Sequence, residues 1–377
     1  CWCSTYLQRR KAVGMSIPLQ ATILNGNNLQ VKGIYPVLDY DLIYDYIDNS
    51  NSTFVLNDNG ASSLGDYIAI RIQNSSNLLY FGVLSSVDLD SDDQVDTLTV
   101  ADFRNILNGD IIVTAKTGTS FEAHLIKLIK NYFTSTATTN ALSYSLNNST
   151  NTSFSVTNSD TIDTYNLVDY IERGLTLHNI VMSISSLKQG TSNGVPFYYP
   201  VVNIHQISDK IQIKNNIAVF TNWQVTDSRL LRGYANELWI VDQASTDMEN
   251  PSILTKYWLQ KDGTIVSSIN SNVVQPTQIT ISLFDKTATD NSTYAQIADQ
   301  TLTGNEYSHQ IIFSMPIENN FFSVEQLEIG LLATIVYNQT TYSSVLTAYE
   351  MSSSDDTISV TFGNLRNSLS DAFSSSD

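Results

Sequence analysis

IGLLATIVYNQTTYSSVLTAYEMSSSDDTISVTFGNLRNSL, from Ile329 to Leu369, reads as strand, tight turn, strand, turn, strand. Strand-favouring residues alternate through Ile335 and Tyr337 and again through Val345, Thr347 and Tyr349. Asn338-Gln339 and Ser354-Asp355-Asp356 interrupt the pattern where hairpin loops turn. Nothing catalytic sits in the stretch. A chain that completes a β-barrel in this way is expected to act through its surfaces rather than through a nucleophile or a bound metal.

The same pattern recurs upstream. Between Ile17 and Thr117 the segments QATIL, LQVKGIYPVL, STFVLN, DYIAIRIQ, LLYFGVLSSV and DTLTVADF predict strands, with a turn at Asn25-Gly26-Asn27-Asn28. Gly118-Thr119-Ser120 then opens FEAHLIKLIKNYF, where Phe121, Leu125, Leu128, Ile129 and Tyr132 fall at helical spacing and Ser120 can cap the amide of Ala123. The polar stretch from Thr134 to Asp160 predicts a long hairpin or a mobile excursion, and Leu167 to Leu177 predicts a second helix. Beyond Asn179 come strands, including VVNIHQISDKIQIKNNIAVFTNWQV and ELWIVDQ, a hairpin in KYWLQKDGTIVSSI turning at Asp262-Gly263, the short helix TYAQIADQTL and the strand SHQIIFSMPI. No fixed-period repeat is visible. The fold class expected is mainly β with α+β insertions, in several domains.

Composition narrows function. A chain of 377 residues exceeds one ordinary core, and its 42% hydrophobic content can fill several. Only 15% of residues are charged, and the formal net charge is -18. That argues against a nucleic-acid binder, which needs clustered Lys and Arg. The two cysteines, Cys1 and Cys3, lie in CWCSTYLQRRKAVG ahead of a plausible start at Met15, so residues 1–14 are read as a disordered leader or tag. No apolar core of a secretory signal is present there. The longest apolar run, Ile329 to Tyr337, is far short of the ~20 residues a membrane helix requires, so no membrane insertion is expected.

Motifs that could carry chemistry are weak. The acidic turn from Asp88 to Asp96 places oxygen ligands at the first, third and fifth positions of a calcium loop. It carries Asp93 where the sharp bend needs Gly and Thr99 where a bidentate Glu belongs, so a solvated hairpin is the better reading. His124, His178, His205 and His309 are far apart in the chain and match no metal-ligand spacing. No nucleophile elbow, P-loop or dinucleotide fingerprint occurs, and a Ser-His-Asp triad could only be drawn arbitrarily. Glu122, Glu172, Glu237, Glu249, Glu325, Glu328 and Glu350 could supply a glycosidase-like pair, but sequence does not bring two of them face to face. The sequons at Asn51, Asn74, Asn148, Asn151, Asn291 and Asn338 follow from an Asn/Ser/Thr-rich composition. No catalytic, cofactor-binding or metal residue is assigned, and no cofactor is expected.

Twenty tyrosines stand against four tryptophans. Most are expected in cores and on sheet surfaces. The cluster Tyr35, Tyr40, Tyr44 and Tyr46 alternates with Asp in GIYPVLDYDLIYDYIDNS and predicts an interface on an edge strand.

The order of segments resembles the baseplate hub proteins of long-tailed, non-contractile (siphovirus-type) bacteriophages, the family that includes the N-terminal structural part of tail-associated lysins. The likeness is carried by STFVL with LGDYIAIRI, LLYFGVLSSV and DTLTVADFRNIL, by the helix FEAHLIKLIKNYF, and by the closing IGLLATIVY, YSSVLTAYE and TISVTFGNLRNSLSD. It implies a homotrimer at the tail tip, in the virion, assembled in the host cytoplasm. Each chain would supply two tube-type β-barrels to a pseudo-sixfold ring that meets the distal tail protein ring and other tail-tip or receptor-binding proteins and lets DNA pass without specific binding. The implied units are an N-terminal barrel at 15–117, a helix-containing α+β domain at 118–200, an α+β domain at 201–320 that shares strands with the second barrel, and strands closing that barrel at 321–377. Family members often append a peptidoglycan hydrolase; the chain ends in SSSD directly after the barrel strands, which reads either as a hub without a lysin or as a truncated piece, and no wall-cleaving activity is carried over. A different reading is a virion-associated or secreted β-protein that binds or cleaves cell-wall polysaccharide, which requires Trp223, Trp239 and Trp258 to line one groove.

Overall fold

The structure is a computed structural model and describes residues 17–113, 120–133, 143–146, 163–226, 235–286, 293–302 and 307–365, apart from 49, 91–94, 248, 262, 308, 320 and 322. The leader at 1–14, most of the polar stretch from Thr134 to Asp160 and the tip of the acidic turn therefore lie outside the described residues.

The first unit is a closed barrel of six strands: β1 (Leu19–Leu24), β2 (Val31–Asp45), β3 (Ser52–Leu56), β4 (Tyr67–Ile72), β5 (Tyr80–Asp90) and β6 (Val95–Asp102). They pair in the order β1-β4-β5-β6-β3-β2, and β1 closes back onto β2. Alternation puts Ala21, Ile23, Leu42, Phe54, Ile68, Ile70, Leu98 and Val100 inside, all buried. A 3-10 turn at Phe103–Leu107 follows, with Asp102 accepting the Arg104 amide at 2.9 Å.

Next comes a mixed unit of β7 (Asp110–Val113), helix α1 (Phe121–Phe133), β8 (Ser143–Leu146), β9 (Asp163–Asn166), helix α2 (Leu167–His178), β10 (Ile180–Ser192) and β11 (Val195–Gln206). Both helices lie where the apolar spacing predicts them, and Ser120 accepts the Ala123 amide at 3.3 Å. Asn166 caps α2, and Asn179 ends it in the left-handed region at φ 56°. The long β10–β11 hairpin turns at Asn193-Gly194, both at positive φ.

The second barrel unit is discontinuous. Strands β12 (Ser208–Lys214) and β13 (Thr221–Thr226) come first. An insertion follows, made of β14 (Glu237–Asp242), β15 (Ile253–Leu259), β16 (Ile265–Val266), β17 (Ile279–Phe284) and helix α3 (Tyr294–Leu302) around a small core of its own, Leu238, Ile240, Ala298 and Leu302. The unit resumes with β18 (Gln310–Pro316), β19 (Leu331–Tyr337), β20 (Thr340–Ser352) and β21 (Thr357–Gly363). Asn338 and Gln339, at φ 47° and 70°, make the two-residue turn expected between β19 and β20.

Its strands pair in the order β12-β19-β20-β21-β18-β13. In each unit, counting only its own strands, that order is first-fourth-fifth-sixth-third-second. Two differences separate the copies: β1 meets β4 antiparallel whereas β12 meets β19 parallel, and among the described residues no ladder joins β12 to β13. The correspondence reaches single residues. Gly65 and Gly330, at φ 84° and 87°, each donate an amide at 3.0 Å to Leu84 and Leu346 respectively. The bulge after Leu84 lets Ser85 donate to the Thr99 carbonyl at 3.1 Å, and the bulge after Leu346 lets Thr347 donate to the Thr361 carbonyl at 3.3 Å. In sequence, DFRNIL at 102–107 falls in register with NLRNSL at 364–369.

The two glycines differ in surroundings. A methyl added at Gly65 meets nothing within 4 Å, whereas one at Gly330 comes within 2.7 Å of Val181. Gly65→Ala is expected to lose only the backbone part, about 1 kcal/mol. Gly330→Ala adds overpacking and is expected to lose about 2–4 kcal/mol. Urea unfolding of both variants reads the order; equal losses would mean that Val181 moves aside.

Candidate functional site

The two barrel units are joined by one antiparallel ladder. The last part of β2 lies against the last part of β20, pairing Asp41 with Ser352, Leu42 with Met351, Ile43 with Glu350, Tyr44 with Tyr349 and Asp45 with Ala348. Tyr40, Tyr44 and Tyr46 of the tyrosine cluster lie at or beside this ladder, while Tyr35 pairs with Ala21 of β1, which corrects the cluster's expected place on an edge strand. β2 is hydrogen-bonded along both sides, Tyr40 and Tyr46 are buried, and the interface they build is inside the chain. Tyr44 packs on Tyr349 at 5.6 Å and edge-on to Tyr80 at 6.0 Å. The Tyr349 hydroxyl donates to the Leu79 carbonyl at 2.9 Å, and the Tyr46 hydroxyl accepts the Met182 amide at 3.1 Å. Burial pushes the Tyr46 phenol up to about 12 and raises Tyr44 and Tyr349 as well, so all three stay neutral across the physiological range.

Arg104 sits at the foot of this joint with 1% of its surface exposed. Its Nε donates to Asp102 at 2.7 Å, while Nη1 and Nη2 donate to the carbonyls of Tyr46 and Asp45 at 2.5 and 2.8 Å. Its guanidinium carbon lies 4.3 Å from the centre of the Tyr46 ring, and Glu172 approaches to 3.7 Å. Burial alone would lower its pKa, yet the Asp102 carboxylate and the electron-rich rings hold it above the ordinary arginine value. Arg104→Ala strands Asp102 and two carbonyls, so it is expected to lose about 3–5 kcal/mol by urea unfolding. A loss under about 1 kcal/mol would mean that water replaces the guanidinium.

Beside the joint is a cavity of about 230 Å³, lined among others by Tyr44, Asp102, Arg104, Ser183, Glu325 and Glu328. At its wall the structure brings together Ser183, His205 and Glu328. Ser183 Oγ donates to Glu328 Oε1 at 2.9 Å and lies 3.3 Å from His205 Nε2. Glu328 is also 3.4 Å from that same Nε2, and His205 Nδ1 faces the Gln206 carbonyl at 3.0 Å. A hydrolytic triad needs its carboxylate on the imidazole nitrogen remote from the serine. Here serine and carboxylate share one nitrogen and the serine proton goes to the carboxylate. The trio tethers β10, β11 and the turn before β19, in an arrangement that is not that of a hydrolytic triad.

The remaining sequence candidates are dispersed. His124 is buried on α1, 5.8 Å from the Tyr170 ring, and His309 bonds Ser344 at 2.7 Å in the second barrel. Glu172 serves Arg104, Glu237 accepts the Trp239 indole at 2.6 Å, and Glu325 and Glu328 share the cavity wall. Glu122 is buried in the first turn of α1, Glu249 sits in the loop between β14 and β15, and Glu350 is exposed at the joint. Asn51, Asn74 and Asn338 are exposed, while Asn148, Asn151 and Asn291 lie outside the described residues. Among the described residues no group of three or more His, Cys, Asp or Glu could hold a metal ion. No described helix is long and apolar enough to cross a membrane. The three tryptophans do not line one groove: Trp223 stacks on Phe313 at 4.6 Å in the second barrel, whereas Trp239 and Trp258 stand diagonally on one face of adjacent strands in the inserted sheet.

That inserted sheet carries a surface that sequence reading missed. Its order is β16-β15-β14-β17; Leu238 and Ile240 face α3, so Trp239 and Val241 point the other way. The register sets Ile279, Ile281 and Leu283 beside Glu237, Trp239 and Val241, and Ile253 beside Val241. Those four aliphatic residues are all exposed, and Lys256 covers Trp239 at 3.5 Å. These side chains make a continuous apolar face on the side of the sheet opposite α3. The double variant Ile281→Ser, Leu283→Ser is expected to bind less 1-anilinonaphthalene-8-sulfonate, with its melting temperature within a few degrees of the parent. Unchanged dye fluorescence would show that the dye binds elsewhere.

No family model matches the sequence, and no curated protein does. Solved structures do. The p2 virion baseplate in activated conformation contains a chain 12% identical, with a TM-score of 0.50 over 93% of this chain and 99% of that one. A tail protein from Neisseria meningitidis is 9% identical with a TM-score of 0.50, over 94% and 99%. The 43 kDa tail protein of prophage MuSo2 from Shewanella oneidensis is 9% identical with a TM-score of 0.51, again over 94% and 99%. At such identities the likeness is one of fold, and the fold this chain has is that of phage baseplate and tail proteins.

Proposed function

We propose that this chain is a structural, non-enzymatic component of a phage tail tip: a baseplate hub in which three copies form a ring, join the distal tail protein ring, close the tail tube and form the DNA exit channel. One observation carries the reading. A single chain holds two barrel units with the same strand order, laid side by side along one ladder, which is how three chains could present six near-equivalent barrels to a sixfold tube. The fold shared with phage tail proteins supports the same reading.

In this reading the first ring unit falls within 15–117. The segments at 118–200 and 201–320 supply the peripheral parts together with β12, β13 and β18 of the second unit, and 321–377 completes that unit. The inserted sheet, with its open apolar face, is the surface offered to a neighbouring tail protein. A net charge of -18 suits a conduit through which DNA slides without sticking, because the attraction of a basic groove for phosphates is missing.

Light scattering after size exclusion, across protein concentration, tests the ring. The expected result is a trimer, or a monomer driven to trimer by concentration, with six-lobed rings in negative-stain images. A strict monomer at high concentration would overturn the hub and direct effort to glycan arrays and wall-hydrolysis assays.

A further inference from the structure

We propose that copies of this chain join head to tail by repeating, between molecules, the ladder that joins the two barrels within one. β13 of one copy adds antiparallel to the outer edge of β5 in the next, with Gln224 opposite Asp90, Val225 opposite Leu89 and Thr226 opposite Asp88. This deepens the hub reading, on which it rests for closure of the ring, but the joint itself is argued from register.

The β5–β6 and β20–β21 ladders, each bulged after its leucine, set Ser86 of the first unit at the place of Ala348 in the second, Leu89 at Met351 and Asp90 at Ser352. In the second unit, β20 pairs with β19 only as far as Val345; beyond that, its edge is taken by β2. In the first unit, β5 pairs with β4 only as far as Val83, and among the described residues no ladder takes the edge beyond it. That edge is the unfilled counterpart of the joint.

The strand that would fill it is found the same way. Asp41 is opposite Thr53, and Gln224 is opposite Ile312, at the equivalent place. Gln224 therefore stands for Asp41 and Val225 for Leu42. β13 ends the sheet, and among the described residues its outer side has no ladder. Each molecule thus carries one half of the joint on each barrel, in the complementary sense.

Burial bears the mark of the vacancy. Inside the chain, Leu42 and Met351 are 0% and 1% exposed where they meet. Their counterparts are a half-buried Val225 and a Leu89 that is 65% exposed at a hairpin edge, where soluble proteins avoid bare aliphatic side chains. β13 reads TNWQVT and carries no charge, so the acidic edge of β5 meets neutral side chains. A contact made from two different edges is heterologous, and it ends only by closing into a ring.

The test uses the full chain with Cys1→Ser and Cys3→Ser, carrying Val225→Cys and Leu89→Cys. Directly opposed strand residues lie within disulfide reach. Mild oxidation is expected to give reductant-sensitive covalent multimers ending at the ring size, while Val225→Cys with Val87→Cys, two residues out of register, gives few. Leu89→Asp, at an exposed site, is expected to reduce the solution mass to that of a monomer with an unchanged far-ultraviolet spectrum. A parent that is oligomeric, with no cross-link in the Leu89 pair and an oligomeric Leu89→Asp variant, overturns the joint and leaves the hub reading standing. A parent that is monomeric at every concentration overturns the joint, leaves that edge to a strand of another protein, and counts against the hub as well.

Discussion

The fold turns on one buried cation. Arg104 leaves the first barrel on its 3-10 turn and ties the end of β2 to the end of β6, at the point where β2 crosses to the second barrel. Removing a guanidinium from water is costly, and the site compensates with a carboxylate, two carbonyls and an aromatic face. A hydrophobic side chain of similar volume could fill that space. It could not read the direction of two carbonyls at once, so the cluster fixes the course of the chain as well as holding it.

Much of this architecture was legible. Period-two alternation gave the barrel strands, helical spacing gave α1, α2 and α3, and Asn338-Gln339 gave its turn, because each is a local consequence of backbone sterics and one buried face. The tyrosine cluster misled for a physical reason. Alternating Tyr and Asp looks the same on an edge strand and on a strand whose second neighbour arrives some three hundred residues later, as Tyr349 does for Tyr44. Repetition between the two units was implied by the resemblance but not visible in the residues themselves, since it survives in hydrogen-bond register, paired positive-φ glycines and the short likeness of DFRNIL to NLRNSL rather than in a fixed period. Asn193-Gly194 was a turn signal available and unused.

The candidate polar sites show where single-sequence reading stops. Nothing in spacing predicts that Ser183, His205 and Glu328 meet, for they stand on three elements and the contact depends on the β10–β11 register. Once they are together, the carboxylate and the serine lie on the same imidazole nitrogen, which is not the order of a hydrolytic triad. The open face of the inserted sheet was hidden differently: Ile279, Ile281 and Leu283 read as an ordinary strand, and only the placement of α3 on the opposite side leaves them bare.

The discontinuity of the second barrel bears on synthesis. The first barrel, from Leu19 to Asp102, is contiguous, so a ribosome delivers it whole before any strand of the second exists. During that interval the end of β2 waits for β20, which follows at Thr340 to Ser352, and the outer edge of β5 is bare. A half-made chain thus displays two complementary sticky edges on one barrel, where a finished chain holds one on each. The inserted sheet and α3, with their own small core, lengthen the wait.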